Sequence, residues 1–145
     1  MDILVINGPN LNMLGYREVG IYGDLSLEQI NDKILNHFGD KDIKIDFYQS
    51  NQEGDIITKL QSSINNYNGI VINPAAYSHY SIAILDAIRS INIPVVEVHI
   101  SNIYKREEYR RKSITAEGAV GVISGFGYYS YILAIDSLRN YLLNY

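Results

Sequence analysis

Glu97-Val98-His99-Ile100-Ser101 sets a carboxylate and an imidazole two residues apart in an otherwise valine-rich apolar run. Side chains two apart on a strand point to the same face, and a charge left unpaired inside a protein is costly. Glu97 and His99 are therefore expected to touch each other or a polar cleft. In the chemical reading Glu97 orients His99 and holds its tautomer while His99 serves as a general acid. A satisfied core pair is the plain alternative, and the place at a strand end tips the balance toward chemistry. A second stretch, Asn73-Pro74-Ala75-Ala76-Tyr77-Ser78-His79-Tyr80-Ser81, offers an amide, backbone N–H groups, a histidine and a helix start. That set suits a carboxylate or hydroxyls, and it suits a capping turn with an exposed histidine equally well. A third, the glycine-punctuated segment from about residue 8 to 25, carries Asn10, Asn12, Arg17 and Tyr22. A free phenol titrates near pH ~10, so a tyrosine acting as base at neutral pH needs cations beside it, and Arg17 is five residues away. In a chain with 13 tyrosines, spacing alone favours a Tyr22 that merely packs.

Lys105, Arg106, Arg110, Arg111 and Lys112 form a basic cluster countered by Glu107 and Glu108. Most of it reads as a solvated face, but Arg106 and Arg110 stand at i and i+4, and one could close over an anionic substrate. Nucleic acid is not an expected partner, because the 145 residues carry a net charge of −4. With no cysteine there is no disulfide, thiolate nucleophile or sulfur metal site. His37, His79 and His99 lack metal-ligand spacing, no metal is expected, and no glycine-rich phosphate motif follows the first strand, so no nucleotide cofactor is expected either. No serine sits in a nucleophile elbow and no lysine at a strand end. Met1-Asp2-Ile3-Leu4 has no basic leader, and no apolar run approaches the ~20 residues of a membrane span. A cytoplasmic protein with no membrane contact is the expectation.

These residues must be held by a scaffold. Ile3 to Ile6 reads as a strand that stops at Asn7-Gly8-Pro9. The long segment after it exceeds the ~2–6 residues usual between strand and helix, so it reads as a lid loop. Ser26-Leu27-Glu28-Gln29 has capping-box spacing, and Leu27, Ile30, Ile34 and Phe38 follow at helical spacing until Gly39. Ile43, Ile45 and Phe47 alternate with polar residues as in an edge strand. Gln49 to Gly54 is a polar loop, and Ile56, Ile57, Leu60 and Ile64 predict a helix. Gly69 to Asn73 is a buried strand ended by Pro74. Ser81 to Ile91 predicts a helix with Ile82, Leu85 and Ile88 inward, Pro94 to Ile100 a strand, Lys105 to Lys112 a helical turn, Ala119 to Ser124 a fifth strand, and Tyr128 to Leu143 a closing helix on Ile132, Ile135, Leu138 and Leu142. Strands alternating with helices argue for one α/β domain over residues 1–145, with a five-stranded parallel sheet. In the order 2-1-3-4-5 the ends of strands one, three and four are adjacent, and one cleft collects Asn10, Asn73, His99 and Ser101.

With these residues assembled the chain resembles a type II dehydroquinase. The likeness rests on Asn7-Gly8-Pro9-Asn10-Leu11-Asn12 with Arg17 to Tyr22-Gly23; on Gln49-Ser50-Asn51 with Glu53-Gly54; on Asn73-Pro74 through His79; and on Glu97 to Asn102 with Arg106-Glu107-Glu108 and Arg110. Such a resemblance implies a three-layer flavodoxin-like fold and dehydration of 3-dehydroquinate to 3-dehydroshikimate in the shikimate pathway, without metal or covalent intermediate. By position, Tyr22 would remove the C2 proton, Arg17 would favour its tyrosinate and stabilise the transition state, and His99 would protonate the departing C1 hydroxyl. Asn10 would hold a water or the enolate oxygen, and Glu97 would orient His99. Asn73, His79, Ile100, Ser101 and Arg110 would bind substrate. Asp86 would reach the site of a neighbouring subunit in a dodecamer built from trimers. The chain departs from the family pattern at Val19, where Pro is common, at Gln52, where His is frequent, at Ala75, where Gly is frequent, and at the bulky Tyr80. A non-catalytic flavodoxin-like module that binds a small anion would explain the fold and cleft but not Arg17, Tyr22 and His99 together.

Overall fold

The computed structural model describes residues 1–39 and 41–145. Strands β1 (Asp2–Asn7), β2 (Lys44–Gln49), β3 (Gly69–Asn73), β4 (Val95–His99) and β5 (Gly121–Ser124) form one parallel sheet in the order β2-β1-β3-β4-β5, as the alternation of strand and helix patterns predicts. A short helical turn α1 (Val19–Tyr22) is followed by helices α2 (Leu27–Phe38), α3 (Glu53–Ser62), α4 (Ile82–Ser90) and α5 (Tyr129–Asn144). The central strands are apolar on both faces because both faces are covered. Ile3, Val5, Val71, Val96 and Val98 pack on Ile30, Ile34 and Phe38 of α2 and Ile135 and Leu138 of α5. The alternate residues Leu4, Ile6, Ile70 and Ile72 meet Ile56 and Leu60 of α3 and Ile84 and Ile88 of α4. Each fully buried Ile or Leu contributes about 1.5–3 kcal/mol, so a one-residue slip in any central strand would exchange two cores and is excluded.

The capping box at Ser26 forms in full: Gln29 N–H donates to Ser26 Oγ at 3.2 Å and Ser26 N–H to Gln29 Oε1 at 2.9 Å. Two helix expectations are corrected. Ile64 lies beyond α3, which ends at Ser62 and runs into a turn, and it is exposed. Ile82 is also exposed, because as the first residue of α4 it faces outward while Ile84, Leu85, Ala87 and Ile88 turn inward.

The strand ends create the working surface. Asn7 and Asn73 pair in register at the β1–β3 boundary, where the strand order reverses and α/β sheets place their ligands. Gly8 lets the two exits touch: its N–H donates to Asn73 C=O at 2.8 Å, and a Cβ there would lie 2.6 Å from Pro74 O. The segment after β1 is not a loop throughout, as its composition suggested. It contains a 3-10 turn, Leu11–Met13, and α1, which begins after Glu18 in the left-handed conformation (φ 37°).

Candidate active site

A cavity of about 120 Å³ opens beyond the C-terminal ends of β1, β3 and β4 and is lined by Asn10, Arg17, Tyr22, Asn73, His79, His99, Ile100, Ser101 and Arg110. Glu97 lies directly behind His99. Of the residues singled out in the sequence, Asp86 and Asn12 stand apart: Asp86 is exposed on the outer side of α4, Asn12 is exposed in the lid, and neither lines this cavity.

One wall comes from the lid segment. Arg17 Nη2 donates to Tyr22 Oη at 3.3 Å, and its guanidinium carbon lies 4.7 Å from the ring centroid. The stronger partner is Arg106, whose Nη1 donates to the same oxygen at 2.7 Å while its guanidinium stacks 5.1 Å from the ring. Two cations therefore converge on one phenol, a setting that stabilises negative charge on the oxygen. Sequence reasoning flagged Arg106 for an anionic substrate and gave the care of Tyr22 to Arg17 alone, since nothing local in the sequence links residues 84 positions apart. Arg110 completes this wall. Burial works against its charge, but the Tyr22 phenol and the Glu107 carboxylate, 3.0 Å from its Nε, outweigh burial and hold its proton more firmly than usual.

The opposite wall is β4. Glu97 is wholly buried and His99 nearly so, with Glu97 Oε1 2.7 Å from His99 Nε2. The other ring nitrogen, Nδ1, is left for the cavity. Ser113 and Thr115 also hydrogen-bond the Glu97 carboxylate, each at 2.5 Å. Neither carried a sequence signal, because they lie in an irregular stretch that reaches β4 from more than a dozen residues away.

The floor is built from the β1 and β3 exits, and its hydrogen-bond directions can be read from one fixed donor. Ala75 N–H must donate, so Asn73 offers Oδ1 to it at 3.1 Å and Nδ2 to Tyr131 Oη at 2.9 Å. Tyr131 then donates its own proton to Asn7 Oδ1 at 2.6 Å. Burial pushes the Tyr131 phenol far above the ordinary tyrosine range, against the bond from Asn73, so it remains a protonated donor. Tyr131 shares the buried stripe of Ile135 and Leu138, and this polar head on an apolar stripe was the available sign of an internal partner. Asn10, at φ 66°, points into the cavity from the rim while its N–H donates to Asn51 Oδ1 at 3.0 Å, and Tyr77 Oη donates to Asn51 C=O at 2.7 Å. The polar loop after β2 thus braces both the lid base and the turn after β3. His79 stands at the end of that turn, Ala75–His79.

The departures from the family pattern fall where they can be absorbed. Tyr80 projects into solvent and Val19 opens α1 on the surface. Gln52 precedes α3 without a side-chain cap bond. Ala75 is the exception, because it adopts φ 51°. Among the described residues no three His, Cys, Asp or Glu side chains gather as a metal site, and no helix is long and apolar enough to cross a membrane.

Residues 1–139 match the family described as dehydroquinase class II. A 3-dehydroquinate dehydratase of Clostridium botulinum is 70% identical over 142 residues, covering 98% of this chain and 97% of the relative. The crystal structure of type II dehydroquinase from Butyrivibrio crossotus superposes with a TM-score of 0.94 at 51% identity, covering 96% of this chain and 97% of that one. That of Propionibacterium acnes gives 0.90 at 36% identity, over 99% and 97%.

Proposed function

Since the chain belongs to the dehydroquinase class II family, hydro-lyases that dehydrate 3-dehydroquinate in the shikimate pathway, we propose that it works by anti elimination through an enolate, with Tyr22 as tyrosinate base and His99 as acid. The observation that carries this reading is the pairing of a doubly cation-contacted phenol with a carboxylate-backed imidazole across one cavity. A proton beside a ketone is weakly acidic and hydroxide is a poor leaving group, so the reaction needs a base, an oxyanion stabiliser and an acid.

In this scheme Tyr22 Oη takes the C2 proton, and the C–H electron pair moves into an enolate whose oxygen is held by Asn10 directly or through water. The enolate then collapses, the C1–O bond breaks, and His99 delivers a proton to the departing hydroxyl, so water and 3-dehydroshikimate leave. Arg17 and Arg106 stabilise the charge on the base. Glu97 orients His99. Asn73, His79, Arg110, Ile100 and Ser101 bind the hydroxyls and carboxylate. The segment of residues 8–25 acts as a lid that excludes water once substrate is bound. Asp86, exposed and outside its own cavity, reaches the cavity of a neighbouring copy in a dodecamer of trimers, an assembly that light scattering would measure.

Product formation is read as ultraviolet absorbance of the conjugated enone from 3-dehydroquinate. Wild type is expected to turn over, while Tyr22→Phe and His99→Ala each lose at least ~100-fold, the lower scale for removing general acid–base catalysis. Substrate binding without product in wild type would defeat the mechanism and favour a binding module.

A further inference from the structure

The four residues from Lys112 to Thr115 touch pocket His79 and the carboxylate behind pocket His99. Ser113 Oγ donates to Glu97 Oε1 at 2.5 Å, and Thr115 Oγ1 donates to Glu97 Oε2 at 2.5 Å. Ser113 Oγ is itself aimed, because it accepts from Ala116 N–H at 3.1 Å. The intervening residues turn the other way. Lys112 C=O lies 2.8 Å from His79 Nδ1, and Ile114 N–H donates to Ser78 C=O at 2.7 Å. Alternate residues of one short stretch thus hold β4 and the turn that carries His79.

We propose that Lys112–Thr115 is a positioning strap that sets which nitrogen carries the proton in each pocket histidine. This rests on the reading of His99 as the acid. A backbone carbonyl only accepts, so His79 Nδ1 carries the proton facing Lys112, and neutral His79 offers Nε2 as a bare acceptor for a substrate hydroxyl. On the other side, two hydroxyls and His99 Nε2–H give Glu97 three donors, which satisfy a carboxylate that has no solvent. With Nε2–H committed to Glu97, His99 holds a proton on Nδ1 only as the imidazolium. Ser113 and Thr115 therefore act on the acid through Glu97, without touching substrate. The charged and titratable groups facing His99 are Glu97 on its own strand, Arg17 and Tyr22 from the lid, His79 from the turn after β3, and Arg106 and Arg110 from the segment after β4.

Thr115→Val and Ser113→Ala, singly and together, test the strap, with Thr115→Ser and Ser113→Thr as hydroxyl-retaining partners. The first readout is nitrogen NMR of histidine-labelled protein without substrate. Wild type is expected to show His79 as the Nδ1–H tautomer and His99 with a fixed Nε2–H. The double variant loses that fixed signature at His99 and keeps it at His79. The second is kcat and KM for 3-dehydroquinate across pH. Each single variant is expected to lower kcat about tenfold, the scale for partners that orient a working histidine, with KM changed less than about twofold. With fewer donors the Glu97 carboxylate keeps more of its negative charge facing the imidazolium, so the alkaline limb of kcat moves to higher pH. The hydroxyl-retaining variants recover wild-type behaviour. A variant that loses thermal stability yet keeps the wild-type kcat, pH limb and His99 spectrum would overturn the proposal, as would a loss that the hydroxyl-retaining variants do not repair. If the double variant does not fold, the singles carry the same readouts. If wild type forms no product, the enzymatic mechanism fails, while the NMR readout still decides the strap.

Discussion

Tyr131→Phe removes one oxygen from the middle of the molecule and should be felt at the active site. That oxygen bridges the side chains of Asn7 and Asn73, which are 1% and 3% exposed. Without it Asn7 Oδ1 loses a donor at 2.6 Å and Asn73 Nδ2 an acceptor at 2.9 Å, in two residues that are both buried. Leaving a buried polar group unpaired costs about 1–3 kcal/mol, so two such groups cost about 2–6 kcal/mol. The absent hydroxyl no longer has to be desolvated, which returns about 1–3 kcal/mol. The balance is a loss of about 1–3 kcal/mol. In a domain of this size that lowers Tm by about 3–9 °C, taking ~3 °C per kcal/mol. Thermal melts of wild type and variant at one protein concentration measure it, since assembly makes Tm concentration-dependent. Tyr129→Phe, in which an exposed ring loses its hydroxyl, is the control and should stay within about 1 °C. Because Asn73 also lines the cavity, KM for 3-dehydroquinate should rise more than kcat falls. A variant melting within about 2 °C of wild type would refute the reasoning, for it would mean that the two asparagines do not depend on the phenol.

Three further outcomes are expected. Ala75→Gly should stabilise the chain by about 0.5 kcal/mol: relief of the left-handed strain at φ 51° is worth about 1–2 kcal/mol, and the freer unfolded glycine gives back about 0.4–1 kcal/mol. Ala75→Val should do the reverse, both read from urea midpoints. Arg106→Gln should cut kcat about 10²–10³-fold, as loss of one charge-stabilising donor does, in steady-state assays where Arg106→Lys recovers only part. Tyr67→Phe removes the 2.9 Å hydrogen bond that, ahead of Lys44, holds the Asp46 carboxyl below its ordinary value of 3.8. Since that folded value is depressed, the bond's contribution is complete above pH 3.8 and disappears as pH falls through the lower one. The stability difference between Tyr67→Phe and wild type should therefore be constant from neutral pH to about 5 and shrink under stronger acid, as urea titrations at each pH would show.

The sheet was readable because each strand is either a continuous apolar run, like Gly69–Asn73, or alternates like Lys44–Gln49, and each main helix carries an apolar stripe. Helix ends were less so: Ile64 and Ile82 fit the spacing but sit just past or at the first turn, where the chain is already leaving the core. The turn at Val19–Tyr22 could not be seen, since four residues set no period and it starts from a left-handed Glu18. In the site, Glu97 and His99 declared themselves by being charged on an apolar strand. The tie of Arg106 to Tyr22 and the Ser113–Thr115 pair did not, because their partners are brought to them only by the path of the chain after β4. Tyr131 lay in plain register with Ile135 and Leu138 and was not singled out.

Among the described residues, the stretch from Arg17 to Gly23 is joined to the rest of the molecule by a single hydrogen bond, from Arg106 to the Tyr22 oxygen, and α1 buries none of its own side chains. Latch and trigger are thus the same contact. Any motion that swings the stretch outward also strips the phenol of its closest cation and leaves it with Arg17 alone. On the proposed role of Tyr22 as base, such coupling provides a timing rule without a separate sensor, since the phenol has both of its cations only while the compartment around it is closed.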